Sequence, residues 1–323
     1  MEPVLHCEGA PRDLGRAQGV GLRTDVQGAL DDEGLSAGRS RWPSFRPLAS
    51  GPVLGQGIGR EIIRHYPHQG ERLSGIALGA ERSLASLVEK NVRGVARELD
   101  RGTGSAALGA PGESGWLARQ LEEPSAPCER WILRRSIPEV GFASVELTRS
   151  WFVSCFAGVN EEGLGVVLTG EAAAKDASGL AASLLVADCL QRFTSVDACI
   201  DWCQKRPAFE GGGFLVADAM GDQAQILLGA TQTRAIRARE GLLVSGVSGE
   251  VEVALRKAVA NRDAQDGPPG QEATLRALRQ GLGATSDETF TLDVHLSPKR
   301  RSLRLLRARE GTEVASLDAS RKS

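Results

Sequence analysis

Apolar residues recur every three to four positions through the first third of the chain, with charged residues between them. This period is that of helices with one buried face. It predicts helices over residues 9–32, 59–65 and 71–99. Residues 34–57, rich in Gly, Ser, Arg and Pro, are typical of a long surface connection.

From about residue 100 the pattern changes to short alternating segments, which indicate strands. Strands are predicted at 102–108, 116–122, 142–147, 151–159, 164–168, 214–217, 225–228, 233–239, 242–244, 290–296 and 302–306. Helices are predicted at 180–193, at 196–204 behind a Thr194 or Ser195 cap, and at 251–262 and 272–282. Antiparallel strands interrupted by paired helices predict an α+β sandwich with helices outside two sheets. The tail from Glu310 is expected to fray.

Composition narrows the classes of protein. The 323 residues carry a formal net charge of −2, and no apolar run reaches the roughly 18–20 residues of a membrane span. The N-terminus lacks the pattern of a signal peptide, so a cytoplasmic protein is expected. Near-neutral charge argues against nucleic acid as a partner, and the basic residues at 299–309 are interpreted as a solvated strand face. No phosphate-binding glycine loop follows a strand, so no nucleotide cofactor is expected.

The six cysteines are too few for a disulfide framework and are expected to be reduced. Cys199 and Cys203 have a spacing that suits two metal ligands, but a matching pair is missing elsewhere, so no metal is predicted. The four histidines are scattered and are interpreted as structural.

Four stretches resemble, in the same order, the isopenicillin-N acyltransferase family of N-terminal nucleophile (Ntn) hydrolases. They are residues 9–19, residues 70–87 (similar to a "GIAEGAG" helix), residues 141–164 (with a "GMNEKGL"-like turn) and residues 213–226. Together they extend over most of residues 9–306. The resemblance implies a four-layer αββα sandwich with two mostly antiparallel sheets.

The resemblance also implies a precursor that cuts itself before a new N-terminal nucleophile, whose own α-amine acts as general base. Members of the family use Cys, but no Cys lies between residues 8 and 127 here. Ser105 after Gly104, or Thr103 after Gly102, is the implied replacement. The alternatives are that the nucleophile is lost and that this small-residue strand only permits close sheet packing.

Further site residues follow from the same resemblance. Arg119 and Glu122 stand where the family holds the nucleophile's amine and the substrate. Glu122 is also compatible with an ordinary exposed acid at a strand end, and Arg119 with pairing to Glu122 or with solvation. Asn160 matches the family's oxyanion donor, or is simply a turn former. Arg256 matches a substrate-side Arg loosely, and Ser245-Gly246-Val247 replaces a "TNH" triplet.

The predicted function is therefore an amide-bond hydrolase or acyltransferase that is matured by self-cleavage near residues 102–105. The predicted parts are a helical segment 1–104, a catalytic core 105–309 and a tail 310–323, within one structural domain. The expected partner is a small amide or thioester; no cofactor is required, and acyl-coenzyme A is a candidate donor. The self-cleaved chains are expected to stay associated. The alternative is an inactive homologue that binds an amide-like ligand or a partner protein.

Overall fold

The structure is a computed structural model of the 323-residue chain. It describes residues 4–35, 62, 64–100, 107–110, 115–121, 126–169, 180–206, 212–229, 232–238, 243–245, 292–307 and 313–319. Within these ranges, fourteen strands and six α-helices form two sheets and a helical layer.

The larger sheet has eight strands, and β1–β4 is its single parallel pair among those described. In spatial order they are β1 Leu5–Gly9, β4 Ile132–Pro138, β5 Ser144–Thr148, β6 Ala157–Asn160, β7 Gly165–Thr169, β8 Gly212–Ala217, β9 Gln223–Leu228 and β10 Thr233–Arg237. The smaller sheet is antiparallel throughout its described pairs: β11 Leu243–Ser245, β2 Ala107–Ala110, β3 Trp116–Leu121, β12 Leu292–Ser297, β13 Ser302–Arg307 and β14 Glu313–Asp318.

The two sheets pack face to face. Strands β2 and β3 lie against β7 and β8, and β12 lies against β6. At Gly165 a Cβ atom would lie 3.7 Å from Cδ1 of Leu117, so this face of β7 is turned toward the smaller sheet. Because side chains alternate along a strand, Val167 and Val159 belong to the same fully buried interior. The mostly antiparallel, two-sheet α+β fold is confirmed.

The helices cover the outer face of the larger sheet. They are α1 Pro11–Gly21, α2 Arg23–Asp31, α3 Pro67–Gly79, α4 Leu84–Asp100, α5 Leu180–Arg192 and α6 Val196–Lys205. Helix α1 packs on β1 and β4, α5 on β6 to β8, and α6 on β8 to β10. The helices predicted at 251–262 and 272–282 lie outside the described residues.

Helices α1 and α3 approach each other to backbone contact. Each carries two glycines four residues apart, Gly15 and Gly19 on α1 and Gly75 and Gly79 on α3. A Cβ atom at any of the four would overlap the backbone of the opposite helix. Since glycine costs helix stability relative to alanine, these residues serve the close contact and not the helices themselves.

A buried ion pair lies between α1 and the larger sheet. Arg134 on β4 donates from Nε to Oε2 of Glu146 on β5 at 2.7 Å, and from Nη1 to Oε1 of Gln18 on α1 at 2.5 Å. Burial alone would raise the pKa of Glu146. The charges of Arg134 and Arg72 and a 2.6 Å hydrogen bond from Ser144 nevertheless lower that pKa below its ordinary value. The carboxylate is therefore held ionised.

The prediction of a strand over residues 151–159 is wrong for most of their length, because β6 begins only at Ala157. The preceding loop is buried, and side chains bond its backbone in place of a strand ladder. Gln18 Nε2 donates to the Phe152 carbonyl at 3.0 Å, and the Val153 N–H donates to Asn91 Oδ1 at 3.1 Å. Helical side chains therefore replace the strand pairing that the apolar sequence suggested.

Three other boundaries differ from the predictions. The helix predicted over 71–99 is interrupted between α3 and α4, where Glu81 has a φ of +57°. The helix predicted over 9–32 divides at Leu22 into α1 and α2. The tail forms β14, which pairs with β13, so the expectation of a frayed tail from Glu310 is wrong for Glu313–Asp318.

Candidate functional site

Several strands of the smaller sheet begin or end close together, at one end of the sheet. Strand β2 begins at Ala107, which pairs with Ser245 at the end of β11 and with Arg119 near the end of β3. Strand β3 ends at Leu121, opposite Leu292 at the start of β12. We call this region, defined by these five residues, the β2 end of the sandwich.

Arg119 connects the two sheets at the β2 end. Its Nη1 donates to the carbonyl oxygen of Leu168 on β7 at 2.7 Å, and its guanidinium lies 5.7 Å from the ring centroid of Phe156. The side chain is 2% exposed. The alternative that Arg119 is simply solvated is therefore wrong, because the residue lies between the sheets.

The larger sheet contributes polar side chains to the same interior. Thr169 ends β7 directly after Leu168, and Gln223 and Gln225 lie on the inward face of β9 by their pairing with Ala217 and Leu215. Gln223 Nε2 donates to the Trp116 carbonyl at 3.3 Å. All three side chains are buried. The sequence analysis did not single out these three residues. Polar residues within apolar strands are visible in the sequence, but the face of the sheet on which each side chain lies is not.

Asn160 lies on the other face of the larger sheet. Its Nδ2 donates to the carbonyls of Leu190 at 2.9 Å and Phe193 at 2.8 Å, at the end of α5. Its Oδ1 accepts from the N–H groups of Glu162 at 3.1 Å and Leu164 at 2.8 Å. Both amide hydrogens are thus donated within the helical layer, away from Arg119. This geometry favours the turn-forming interpretation over the expected oxyanion donor.

The remaining predicted site residues lie outside the described residues. These are Thr103, Gly104, Ser105, Glu122 and Arg256. Their predicted roles as nucleophile, cleavage site, acid and substrate-side Arg stay predictions. The first described residue after the expected cleavage site is Ala107, beside Arg119.

The cysteines are buried or half-buried free thiols. A hydrogen bond with Cys189 and burial raise the pKa of Cys203 well above its ordinary value, so this thiol is held protonated. Protonated thiols are poor nucleophiles and poor metal ligands. In the part of the chain that the structure describes, no group of three or more His, Cys, Asp or Glu residues is arranged to hold a metal ion.

Two further expectations concern surface and histidine residues. Lys299, Arg300, Arg301 and Arg304 are exposed, but only Arg304 of these four lies on a strand, β13. The other three lie in the turn between β12 and β13, so the prediction of a strand face is wrong for them. His68 binds Asp188 through Nε2 at 2.5 Å and so joins α3 to α5.

Among the described helices, none has the length and apolar character needed to cross a membrane.

No protein-family model matches the chain, and no curated protein matches it with significant similarity. Solved structures do match in arrangement. A Caenorhabditis elegans orthologue of N-acylethanolamine-hydrolyzing acid amidase is 11% identical with a TM-score of 0.47, covering 66% of this chain and 99% of the other. A mutant of conjugated bile acid hydrolase from Clostridium perfringens is 11% identical with a TM-score of 0.45, covering 66% and 92%. Penicillin V acylase from Agrobacterium tumefaciens is 14% identical with a TM-score of 0.41, covering 68% and 89%.

Membership of the isopenicillin-N acyltransferase family of Ntn hydrolases, which the sequence resembles, stays a prediction.

Proposed function

We propose that this protein is an amide-bond hydrolase or acyltransferase of the Ntn type, matured by self-cleavage at Gly104–Ser105 or at Gly102–Thr103. One observation carries the proposal. The first described residue of β2, two positions after Ser105, pairs with the buried Arg119 at an edge where both sheets contribute polar side chains. A nucleophile freed at the start of β2 would stand beside a fixed cation.

The proposed chemistry needs two groups from one residue. The Ser105 hydroxyl attacks the amide carbonyl, and its proton passes to the free α-amine of the same residue. An α-amine with a pKa near about 8 is partly unprotonated at neutral pH and can act as this base. The amine leaving group takes the proton, and water or a second amine then releases the acyl group. Asn160 has no part in this scheme, so backbone N–H groups would hold the oxyanion.

The substrate class is a small amide, and a thioester such as acyl-coenzyme A is an alternative acyl donor. Neither route requires a cofactor. Arg119 would hold the nucleophile's amine or the substrate, with Glu122 and Arg256 as the further predicted contacts.

A second candidate function is an inactive homologue that binds an amide-like ligand. It is favoured by the absence of a Cys near residue 105 and by the engagement of both Asn160 amide hydrogens. In that case the buried polar groups of the β2 end would bind a ligand without cleaving it.

Ser105→Ala and Thr103→Ala distinguish the two candidate functions. Ser302→Ala, on a distant strand, is the control. The variant that removes the true nucleophile should abolish both chain cleavage and amide turnover, because one oxygen performs both attacks. The control should retain both. Unchanged processing and turnover in both alanine variants would contradict the enzyme and leave the binding protein.

A further inference from the structure

Thr169 faces the interior between the two sheets. It lies four residues after Gly165 on β7, and Gly165 faces Leu117 of the smaller sheet. Its neighbour on β8 is Gly213, where a Cβ atom would lie 3.1 Å from the Thr169 Oγ1. Cδ2 of Leu227 on β9 lies 2.9 Å from the same position, so an apolar side chain lies on this flank of the hydroxyl.

The Thr169 hydroxyl is buried without a hydrogen-bond partner. The residue is 2% exposed, and Oγ1 neither donates to nor accepts from any group in the described part of the protein. Thr148, at the end of β5 in the same sheet, is equally buried, but its hydroxyl donates to the Ser154 carbonyl at 2.8 Å. Buried polar groups in native proteins are normally hydrogen-bonded, so an orphaned one points to an absent partner.

The orphaned hydroxyl lies next to the groups assigned to the site. The carbonyl of the preceding residue, Leu168, accepts the 2.7 Å hydrogen bond from Arg119. Arg119 in turn pairs with Ala107 at the start of β2. Thr169 therefore ends its strand at the β2 end, where the proposed substrate would enter.

We propose that the Thr169 hydroxyl is a ligand-binding group that hydrogen-bonds the amide of the substrate. A threonine hydroxyl can donate to a carbonyl and accept from an N–H, which are the two polar groups of a secondary amide. This inference rests on the proposed function, since it assigns a contact within the same site. The chemical class it selects is an N-acyl amide whose polar group reaches the end of β7.

The test compares Thr169→Val and Thr169→Ser with Thr148→Val as the matched control. The probes are the 4-nitroanilides of acetic, hexanoic and phenylacetic acids, with binding measured by calorimetry, turnover by release of 4-nitroaniline, and stability by thermal unfolding. Thr169→Val should bind the preferred probe at least tenfold more weakly, with an unchanged or raised Tm. Thr169→Ser should bind within threefold of the wild type. Thr148→Val should show the reverse, a lowered Tm and unchanged binding.

The inference would be overturned if Thr169→Val bound the probe as tightly as the wild type, or if its Tm fell as far as that of Thr148→Val. It would also be overturned if the wild type bound none of the three nitroanilides. Catalysis is read separately. Thr169-dependent binding without release of 4-nitroaniline supports the contact and contradicts the proposed hydrolase. Release with the same KM in Thr169→Val supports the hydrolase and contradicts the contact.

Discussion

The side chain of Asn160 fixes the turn between β6 and β7 through hydrogen bonds. Its amide makes four hydrogen bonds, two to the end of α5 and two within the turn. Asn160→Ala would remove a hydrogen-bond partner from four backbone groups, two of them on the buried residues Leu164 and Leu190, so we expect the free energy of unfolding to fall by about 2–4 kcal/mol. Urea unfolding measures this loss. A variant as stable as the wild type but with turnover lowered about 10²-fold would instead restore the oxyanion role.

Glu146 gives the molecule a defined response to acid. Its pKa in the folded state is lowered below the ordinary value, so its ionised form stabilises the fold above the pKa of the unfolded chain, about 4.3. That contribution is lost as the pH falls below this value. Glu146→Gln should be less stable at pH 7 by about 3–5 kcal/mol, because it leaves the Arg134 charge buried and unpaired.

The measurement is urea unfolding of both proteins between pH 7 and pH 3. The wild type should lose more stability over this range than Glu146→Gln does. Equal losses would show that Glu146 is not held ionised in the fold.

The sequence predicted local roles of single residues, such as helix caps, better than it predicted their burial and their distant partners. Ser195 was one of two expected caps for α6, and its hydroxyl does accept from the Ala198 N–H at 3.4 Å. A cap of this kind depends on neighbours three residues away. The Arg119 hydrogen bond and the two partners of the Asn160 Nδ2 involve residues 30 to 49 positions away, so the local pattern does not reveal them.

The contact between α1 and α3 depends on the spacing of glycines along both helices. A Cβ atom at Gly75 would overlap the carbonyl of Arg12. Alanine is the better helix former, so Gly75→Ala would stabilise an isolated helix. We expect it to destabilise the protein by about 1–3 kcal/mol or more, since the helices must separate. Glu71→Ala, exposed on the same helix, is the control for thermal unfolding. Equal Tm values for the two variants would contradict the close contact.

Element types were predictable where the period was clear, and the failures have physical causes. Strands β7 to β9 and helices α5 and α6 were predicted within one to two residues at most ends. Strands β1 and β4 were not predicted, because their ladder joins segments more than a hundred residues apart. The buried loop before β6 was misread as a strand, because side chains of α1 and α4 satisfy its backbone.

Buried contacts hold the helical segment before residue 105 to the rest of the protein. Gln18 and Asn91 bond the loop before β6, and Lys90 binds Glu129 at 2.5 Å. The apolar faces of Ile76 and Leu87 are also fully buried. If the chain is cut near residue 105, both parts should elute together in size-exclusion chromatography without denaturant. Free separation of the smaller part would contradict this arrangement of the helical layer.

The mass of the purified protein under denaturing conditions tests self-cleavage most directly. Cleavage predicts two fragments whose masses sum to the 34.2 kDa chain plus one water, the larger beginning at Ser105 or Thr103. The smaller would hold about a third of the residues, in proportion to the position of the cut. A single intact mass of 34.2 kDa, unchanged after prolonged incubation, would contradict self-cleavage and the enzyme built on it.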